Sequence, residues 1–220
     1  MRFTRYYNSS LAKTIAGTLG SGWSNTYDRL ILGPQILDPA ANNYASATRP
    51  DGNVYHFNLV NGQWLPDADV SDRLVQLPNN SGLLYLTAED EVETYSASGR
   101  LISLKDRAGR TQTLVYDANG RLVAVRDGYG RSLEFTYDAQ GRISTMTEPA
   151  QGVFTYMYSS ENDLVSVRYP DGGTRAYVYN ERINTNGGVR LDIMIFDRMT
   201  HAAQATYPSV RWALSRHPAW

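Results

Sequence analysis

The chain reads YSASGRL at residues 95–101, YDANGRL at 116–122, YDAQGRI at 137–143 and YSSENDL at 158–164, and a further copy begins with Tyr179. Consecutive copies start 21 residues apart. Apolar, glycine and arginine positions share this register, which chance recurrence of tyrosine alone would not produce. A period of this length is typical of repeat architectures, in which each unit buries its apolar face against its neighbours.

Each repeat contains a second turn and two short apolar runs. The second turns read DRAGR at 106–110 and DGYGR at 127–131, and a decayed copy reads EPAQG at 148–152. The run before each tyrosine alternates apolar and polar residues, which indicates a strand with one buried face. The predicted buried face consists of Leu114, Tyr116, Leu133, Phe135, Tyr137, Phe154 and Tyr156. The run after each glycine–arginine pair repeats two apolar positions: Leu101, Leu122, Ile143 and Leu164, then Leu104, Val125, Met146 and Val167.

These runs predict strands, and the turns between them predict hairpins, because Asp, Asn and Gly tolerate the tight backbone that a hairpin needs. We therefore expect an all-β fold in which antiparallel β-hairpin repeats form a continuous curved or spiralling sheet. Before the repeats, Asn61-Gly62 predicts a hairpin between Val54–Val60 and Gln63–Leu65. Helical periodicity is weak and confined to Leu11–Leu19.

The repeated polar residues are predicted to be structural. We expect the tyrosines to pack in a file along the sheet, and Asp117 and Asp138 to cap their own turns. The arginines Arg100, Arg121 and Arg142 are candidates to bridge to the neighbouring turn. The structural repeat positions are Tyr95, Gly99, Arg100, Tyr116, Asp117, Gly120, Arg121, Tyr137, Asp138, Gly141, Arg142, Tyr158 and Tyr179.

Composition argues against several classes of protein. The formal net charge of −1 gives no support for a nucleic-acid partner, and the absence of cysteine excludes disulfides and thiolate metal sites. His56, His201 and His217 lack zinc-binding spacing. We predict no catalytic residue, cofactor or metal, and hence no enzyme.

Two acidic stretches are weak candidates for a cation site. The run Glu89-Asp-Glu-Val-Glu93 is predicted to be an exposed, solvated charge run rather than a cation site. Asp67, Asp69 and Asp72 lack the glycine and the terminal glutamate of a calcium loop.

The motif Y-D-x-x-G-R-L with its second D-x-x-G-R turn resembles the YD repeat of the bacterial Rhs family. RYYNS at 5–9, LGSGWS at 19–24 and YPDG at 169–172 support this resemblance, which covers roughly residues 3–181. In that family the sheet spirals into a hollow shell around a C-terminal toxin used in competition between bacteria. Larger members carry an aspartate-based self-cleavage segment near the end of their repeats. Asp38-Pro39 lies too early in the chain to inherit that role.

The resemblance implies a non-enzymatic structural repeat protein, a fragment or short paralogue of a toxin-encapsulating shell. The alternative is a cell-surface module that binds carbohydrate or protein. Across these two hypotheses, the expected partners are the remaining shell, a toxin domain, a second copy of the chain or a carbohydrate. From the sequence we expect no signal peptide and no membrane span. We expect secretion or surface display without a cleavable leader, or otherwise a cytoplasmic location.

The motifs divide the chain into four predicted segments. Residues 1–30 form an Rhs-type lead-in segment, 31–90 degenerate hairpins and 91–181 the regular repeats. Residues 182–220 are a divergent tail, for which truncation and the start of a variable region are competing explanations. At about 4.8 Å per strand, the predicted strip is too short to enclose a folded domain. An open strip also exposes a strand edge, so we expect self-association or a need for further shell segments.

Overall fold

The lead-in segment folds into short antiparallel pairs. A computed structural model describes residues 1–8, 16–33, 43–179 and 191–192. Strand β1 (Arg5–Tyr7) pairs with β4 (Trp23–Asn25), and between them β2 (Ala16–Gly17) pairs with β3 (Gly20–Ser21). The weak helical expectation for 11–19 is therefore wrong where the structure describes it, because residues 16–21 form a hairpin. Residues 11–15 lie outside the described ranges.

The next four strands form one antiparallel sheet in chain order. They are β5 (Leu30–Leu32), β6 (Tyr44–Thr48), β7 (Val54–Val60) and β8 (Gln63–Pro66). The predicted hairpin at Asn61-Gly62 is confirmed: both residues have positive φ, 51° and 79°, which matches the twist of a two-residue hairpin turn. The buried face of this sheet carries Ile31, Ala45, Ala47, Phe57 and Trp64.

The repeats form antiparallel strands that follow one another in chain order. One compact unit, comprising Met1 and Tyr27–Ser132, contains six of them together with a 3-10 turn at Pro78–Asn80. They are β9 (Arg73–Gln76), β10 (Gly82–Leu86), β11 (Val92–Ser96), β12 (Leu101–Lys105), β13 (Thr111–Tyr116) and β14 (Leu122–Asp127).

The second compact unit comprises residues 2–26 and those from Leu133 onward. Its repeat strands are β15 (Ser132–Tyr137, here from Leu133 onward), β16 (Ile143–Thr147), β17 (Val153–Tyr158), β18 (Leu164–Arg168) and β19 (Thr174–Ala176). A last pair joins β20 (Val178–Tyr179) to β21 (Leu191–Asp192). The predicted all-β class built from antiparallel hairpin repeats is confirmed.

The four segments predicted from the motifs remain a prediction. The two compact units are groups of residues in mutual contact, and their bounds do not correspond to the motifs. Apart from 191–192, the predicted tail lies outside the described residues. Within those that are described, no helix is long and apolar enough to cross a membrane.

A β-bulge in each tyrosine hairpin explains the odd spacing of its apolar residues. Thr94 pairs with Ser103, but the next residue, Tyr95, pairs with Leu101 rather than Ile102. The same register shift occurs between β13 and β14, between β15 and β16, and between β17 and β18. The extra residue returns Leu101 to the face that Leu104 occupies, and both side chains are buried. Apolar positions three residues apart therefore share one face of a strand.

The predicted buried face is occupied unevenly. Leu114, Leu133, Phe135 and Tyr156 are buried, whereas Tyr116, Tyr137 and Phe154 are half-buried. The difference follows from position, because Tyr116 and Tyr137 end their strands beside the turns. The Tyr116 hydroxyl reaches the backbone carbonyl of Leu101 rather than the middle of the apolar layer.

Candidate functional site: the tyrosine-side turns

Asp117 holds its turn together with both carboxylate oxygens. Its Oδ1 accepts hydrogen bonds from the backbone N–H groups of Asn119 and Arg121, each at 2.9 Å. Its Oδ2 accepts from Arg121 Nε at 2.8 Å. The bond from the Arg121 backbone N–H lowers the pKa of Asp117, partial desolvation opposes this, and the Arg121 side chain adds to the lowering. The carboxylate is thus a fixed anionic part of the turn.

The same arrangement recurs at three other turns. Asp138 accepts from Gln140 N–H at 3.0 Å, from Arg142 N–H at 2.9 Å and from Arg142 Nε at 2.7 Å. Asp106 and Asp127 bind Arg110 and Arg131 in the same way. The capping that the sequence predicted for Asp117 and Asp138 agrees with these contacts, and the arginine four residues later completes each turn.

The repeat tyrosines link one hairpin to the preceding one. Tyr116 Oη donates to the carbonyl of Leu101 at 2.8 Å, and Tyr158 Oη donates to the carbonyl of Ile143 at 2.7 Å. Tyr179 Oη makes the same bond to Leu164 at 2.6 Å. Each acceptor lies 15 residues before its tyrosine. It follows the preceding tyrosine-side turn, which is the turn that comes directly after a repeat tyrosine. Burial raises the pKa of Tyr116 to about 12, with Arg100 opposing, so its hydroxyl remains a donor at neutral pH.

Two repeat arginines reach the tyrosine of the following repeat. The Arg100 guanidinium lies over the Tyr116 ring at 5.0 Å, and that of Arg142 lies over the Tyr158 ring at 4.3 Å. Arg142 also donates to Asn162 Oδ1 in the next turn at 3.3 Å. Arg121 forms an ion pair with Asp117 in its own turn. Cation–π contact and the hydroxyl bond therefore act on the same tyrosine and couple neighbouring repeats.

Replacing Tyr158 with Phe is expected to lower the free energy of unfolding by about 1–2 kcal/mol, because the buried end of the ring loses its hydrogen bond to Ile143. Tyr116→Phe should cost a similar amount, since its bond to Leu101 is equivalent. Urea unfolding measures both. The exposed Tyr129 is the control, and Tyr129→Phe should change little. Equal effects at all three positions would contradict a structural role for the hydroxyl bonds.

In both units, segments from the N-terminal part of the chain bind to the tyrosine-side turns. In the first unit, Ile31 N–H donates to Gly99 O at 3.0 Å. In the second, Ser21 N–H donates to Asn162 O at 2.8 Å, and Ile143 N–H donates to Thr18 O at 2.7 Å. Free backbone groups at these turns are thus satisfied by chain that precedes the repeats. No sequence signal marked these contacts.

The acidic run at 89–93 is not an exposed charge run throughout, so that prediction is wrong for its last residue. Glu89 and Asp90 are exposed, but the Glu93 side chain is completely buried on β11. Glu93 faces the same side as Tyr95, two residues later, and Tyr95 Oη donates to it. The period-2 pattern of the strand could have indicated this burial.

Two largely buried arginines, with side chains 12% and 11% exposed, neutralise Glu93. Arg29 binds Glu93, and Arg49 binds it through both terminal nitrogens, one of them at 2.7 Å from Oε2. Burial disfavours the charged carboxylate, but the hydrogen bond from Arg49 and the charges of Arg29 and Arg49 outweigh it and lower the pKa of Glu93. Arg29 also contacts Glu91. An acid that is ionised, enclosed and fully bonded is suited to holding structure rather than to moving protons.

The repeat tyrosines offer little surface to a carbohydrate. Tyr95 is completely buried, and the hydroxyls of Tyr116, Tyr158 and Tyr179 are bonded to backbone. Tyr137 is half-buried. Stacking on a sugar needs an open ring face, and the most exposed tyrosine among the described residues is instead Tyr129, in a turn on the other side of the repeat.

Within the described residues, no group of three potential ligands is placed to hold a metal. His56 stacks on Tyr44 with its ring 5.2 Å away, and Asp72 accepts hydrogen bonds from Tyr85 Oη and Ala88 N–H. The other two histidines of the sequence, His201 and His217, lie outside the described residues.

The fold and its turns together define a β-hairpin repeat protein. Its tyrosine, aspartate and arginine side chains bond the turns and connect neighbouring repeats. The RHS Repeat family model matches the chain twice, at residues 95–132 and 116–153. Residues 95–153 thus carry RHS repeats, which confirms the resemblance to the Rhs family for that part of the chain. A search of curated proteins gave no significant match.

Several solved structures align with the chain. The Photorhabdus luminescens Tc holotoxin pore with a mutated TccC3 is 17% identical, with a TM-score of 0.34, over 67% of this chain and 8% of that one. The TcdB2-TccC3-Cdc42 structure is 14% identical, with a TM-score of 0.34, over 67% and 11%. TcdB2-TccC3 without its hypervariable C-terminal region is 13% identical, with a TM-score of 0.33, over 63% and 9%. The chain therefore spans about a tenth of each of these proteins.

Proposed function

We propose that this chain is a wall segment of an Rhs-type shell and that it works without catalysis. The observation that carries the proposal is the recurring bond from a repeat tyrosine to the carbonyl 15 residues earlier. Because each repeat carries both the donor and the acceptor, further repeats can be added in the same register. The repeated acids and arginines are committed to their turns, which suits a wall better than a reactive site.

In this proposal the wall encloses a protein toxin and serves competition between bacteria, as the Rhs resemblance implies. Its partners are further repeat segments, including a second copy of the chain, together with the enclosed cargo. The shell acts outside the producing cell, either after secretion or at the surface.

The test is protection of a cargo from protease. The full chain is produced together with a folded toxin domain, the assembled species is separated from single copies by size, and each is treated with protease. Because one copy is too short to enclose a folded domain, we expect the cargo to survive at least tenfold longer in the assembled species than alone. Tyr129→Ala, which changes only an exposed turn side chain, should protect equally well. Digestion of the cargo at the same rate with and without the chain would overturn the proposal.

A further inference from the structure

Arg5 is a buried cation on β1 in the second unit. Only 6% of the residue is exposed. A guanidinium cannot lose its proton at accessible pH, so its burial carries a large desolvation cost unless an anion lies nearby. Its surroundings should therefore contain negative charge.

The described surroundings of Arg5 are aromatic instead. Its Nη2 donates to Tyr169 Oη at 3.2 Å, and its guanidinium lies 5.7 Å from the centre of the Tyr156 ring. Its Nη1 is buried and has no hydrogen-bond partner among the described residues. The ion pairs within that part of the chain do not include Arg5 either.

Other largely buried arginines of this chain have different partners. Arg29 and Arg49 are only slightly more exposed, and both bind the carboxylate of Glu93. Arg142, in the same unit as Arg5, binds Asp138. At these three arginines a carboxylate faces the guanidinium, and Arg5 departs from that pattern.

The tyrosines around Arg5 do not supply the missing charge. Burial raises the pKa of Tyr156 to about 12, although Arg5 opposes this, so the phenol is neutral at pH 7. Burial also raises the pKa of Tyr177. The Tyr177 hydroxyl is buried beside Arg175, which can only donate to it, so that contact does not use the phenol proton. The cluster therefore offers hydrogen-bond donors and, at Arg5, a positive charge that no carboxylate of the described residues pairs with.

We propose that Arg5, with the Tyr177 hydroxyl beside it, is the binding site of an oxyanion. The oxyanion is either a free inorganic ion such as phosphate or a carboxylate of another polypeptide segment. Two oxygens would accept from Arg5 Nη1 and from the Tyr177 hydroxyl, and the charge would neutralise the guanidinium. A water molecule could satisfy the hydrogen bonds but not the charge. The proposal is independent of the shell function.

Thermal unfolding of the full chain tests the site. Melting temperatures are measured in phosphate and in acetate against chloride at equal ionic strength. A ligand that binds only the folded state should raise the melting temperature in a saturating manner, by about 3–6 °C at tenfold above its Kd. Arg5→Met should abolish the response, and Arg126→Met, at an exposed arginine of β14, should retain it.

The comparison of phosphate with acetate identifies the source of the anion. Saturation in phosphate indicates an inorganic ion, and saturation in acetate indicates a carboxylate. A melting temperature that rises linearly with salt concentration, in Arg5→Met as in the unaltered chain, would overturn the site, because excluded salts stabilise any folded protein. If Arg5→Met does not fold, nitrogen NMR of arginine side chains in the unaltered chain decides. One guanidinium signal should shift with increasing anion concentration and reach a plateau. The absence of such a shift in both phosphate and acetate refutes the proposal.

Discussion

Replacing Glu93 with Gln is expected to lower the free energy of unfolding by about 3–5 kcal/mol, the cost of breaking a buried ion pair by removing one partner. The change leaves Arg29 and Arg49 buried without their shared anion. Arg29 directly precedes β5 and Arg49 directly follows β6, so their contacts with Glu93 hold these two strands against β11. Glutamine preserves shape and size, which assigns the loss to charge and hydrogen bonding rather than to a cavity.

Urea unfolding of the full chain, followed by tryptophan fluorescence, measures this loss. Glu91→Gln is the matched control, because Glu91 also contacts Arg29 but its side chain is 32% exposed. We expect it to cost about 1 kcal/mol or less. A loss below about 1 kcal/mol for Glu93→Gln would show that the arginines find other partners and that the cluster is not a structural lock.

The same variant should respond differently to acid. The pKa of Glu93 in the folded chain is lowered because its bonds with Arg49 and Arg29 outweigh burial. Its contribution to stability is therefore present above the pKa of an unfolded Glu, about 4.3, and is lost as pH falls through the lower folded value. The difference between the unaltered chain and Glu93→Gln should be constant from pH 6 to 8 and should narrow below about pH 4.

Replacing Gly99 with Ala is expected to lower the free energy of unfolding by about 3 kcal/mol or more. Gly99 has a φ of 74°, where a side chain costs about 1–2 kcal/mol. A Cβ there would also lie 1.7 Å from the backbone oxygen of Ile31, which cannot move aside like a flexible side chain. The chain must therefore release β5, and with it the bond from Ile31 N–H and the burial of the Ile31 side chain.

Gly141→Ala provides the matched comparison. Gly141 occupies the same position two repeats later with a φ of 79°, and a Cβ there would meet nothing within 4 Å. It should show the backbone cost alone, about 1–2 kcal/mol. Both losses follow from the urea midpoints, provided that the unfolding free energy of each variant depends on urea concentration with the same slope. If the two variants lose equal stability, the docking of Ile31 on the Gly99 turn does not contribute.

The hairpin repeat was predictable because its determinants are local. The spacing of 21 residues, the alternation before each tyrosine and the Asp-to-Arg turns lie within a few residues of one another. Asn61-Gly62 predicted its hairpin because few residue pairs accept positive φ twice in succession. The capping role of Asp117 and Asp138 followed equally from neighbours within four residues.

The tertiary structure decided which repeated residues lie inside and what they bind. The bulge that places Leu101 beside Leu104 depends on how two strands pair, which a single strand's pattern does not show. Glu93 belonged by sequence to an acidic run, and only Arg29 and Arg49, more than 40 residues away, make its burial possible. Tyr116 and Tyr158 repeat visibly, but their carbonyl acceptors appear only when hairpins stack. Backbone preference is encoded in neighbouring residues, whereas the charge and hydrogen bonds that permit burial come from distant chain that only folding brings into contact.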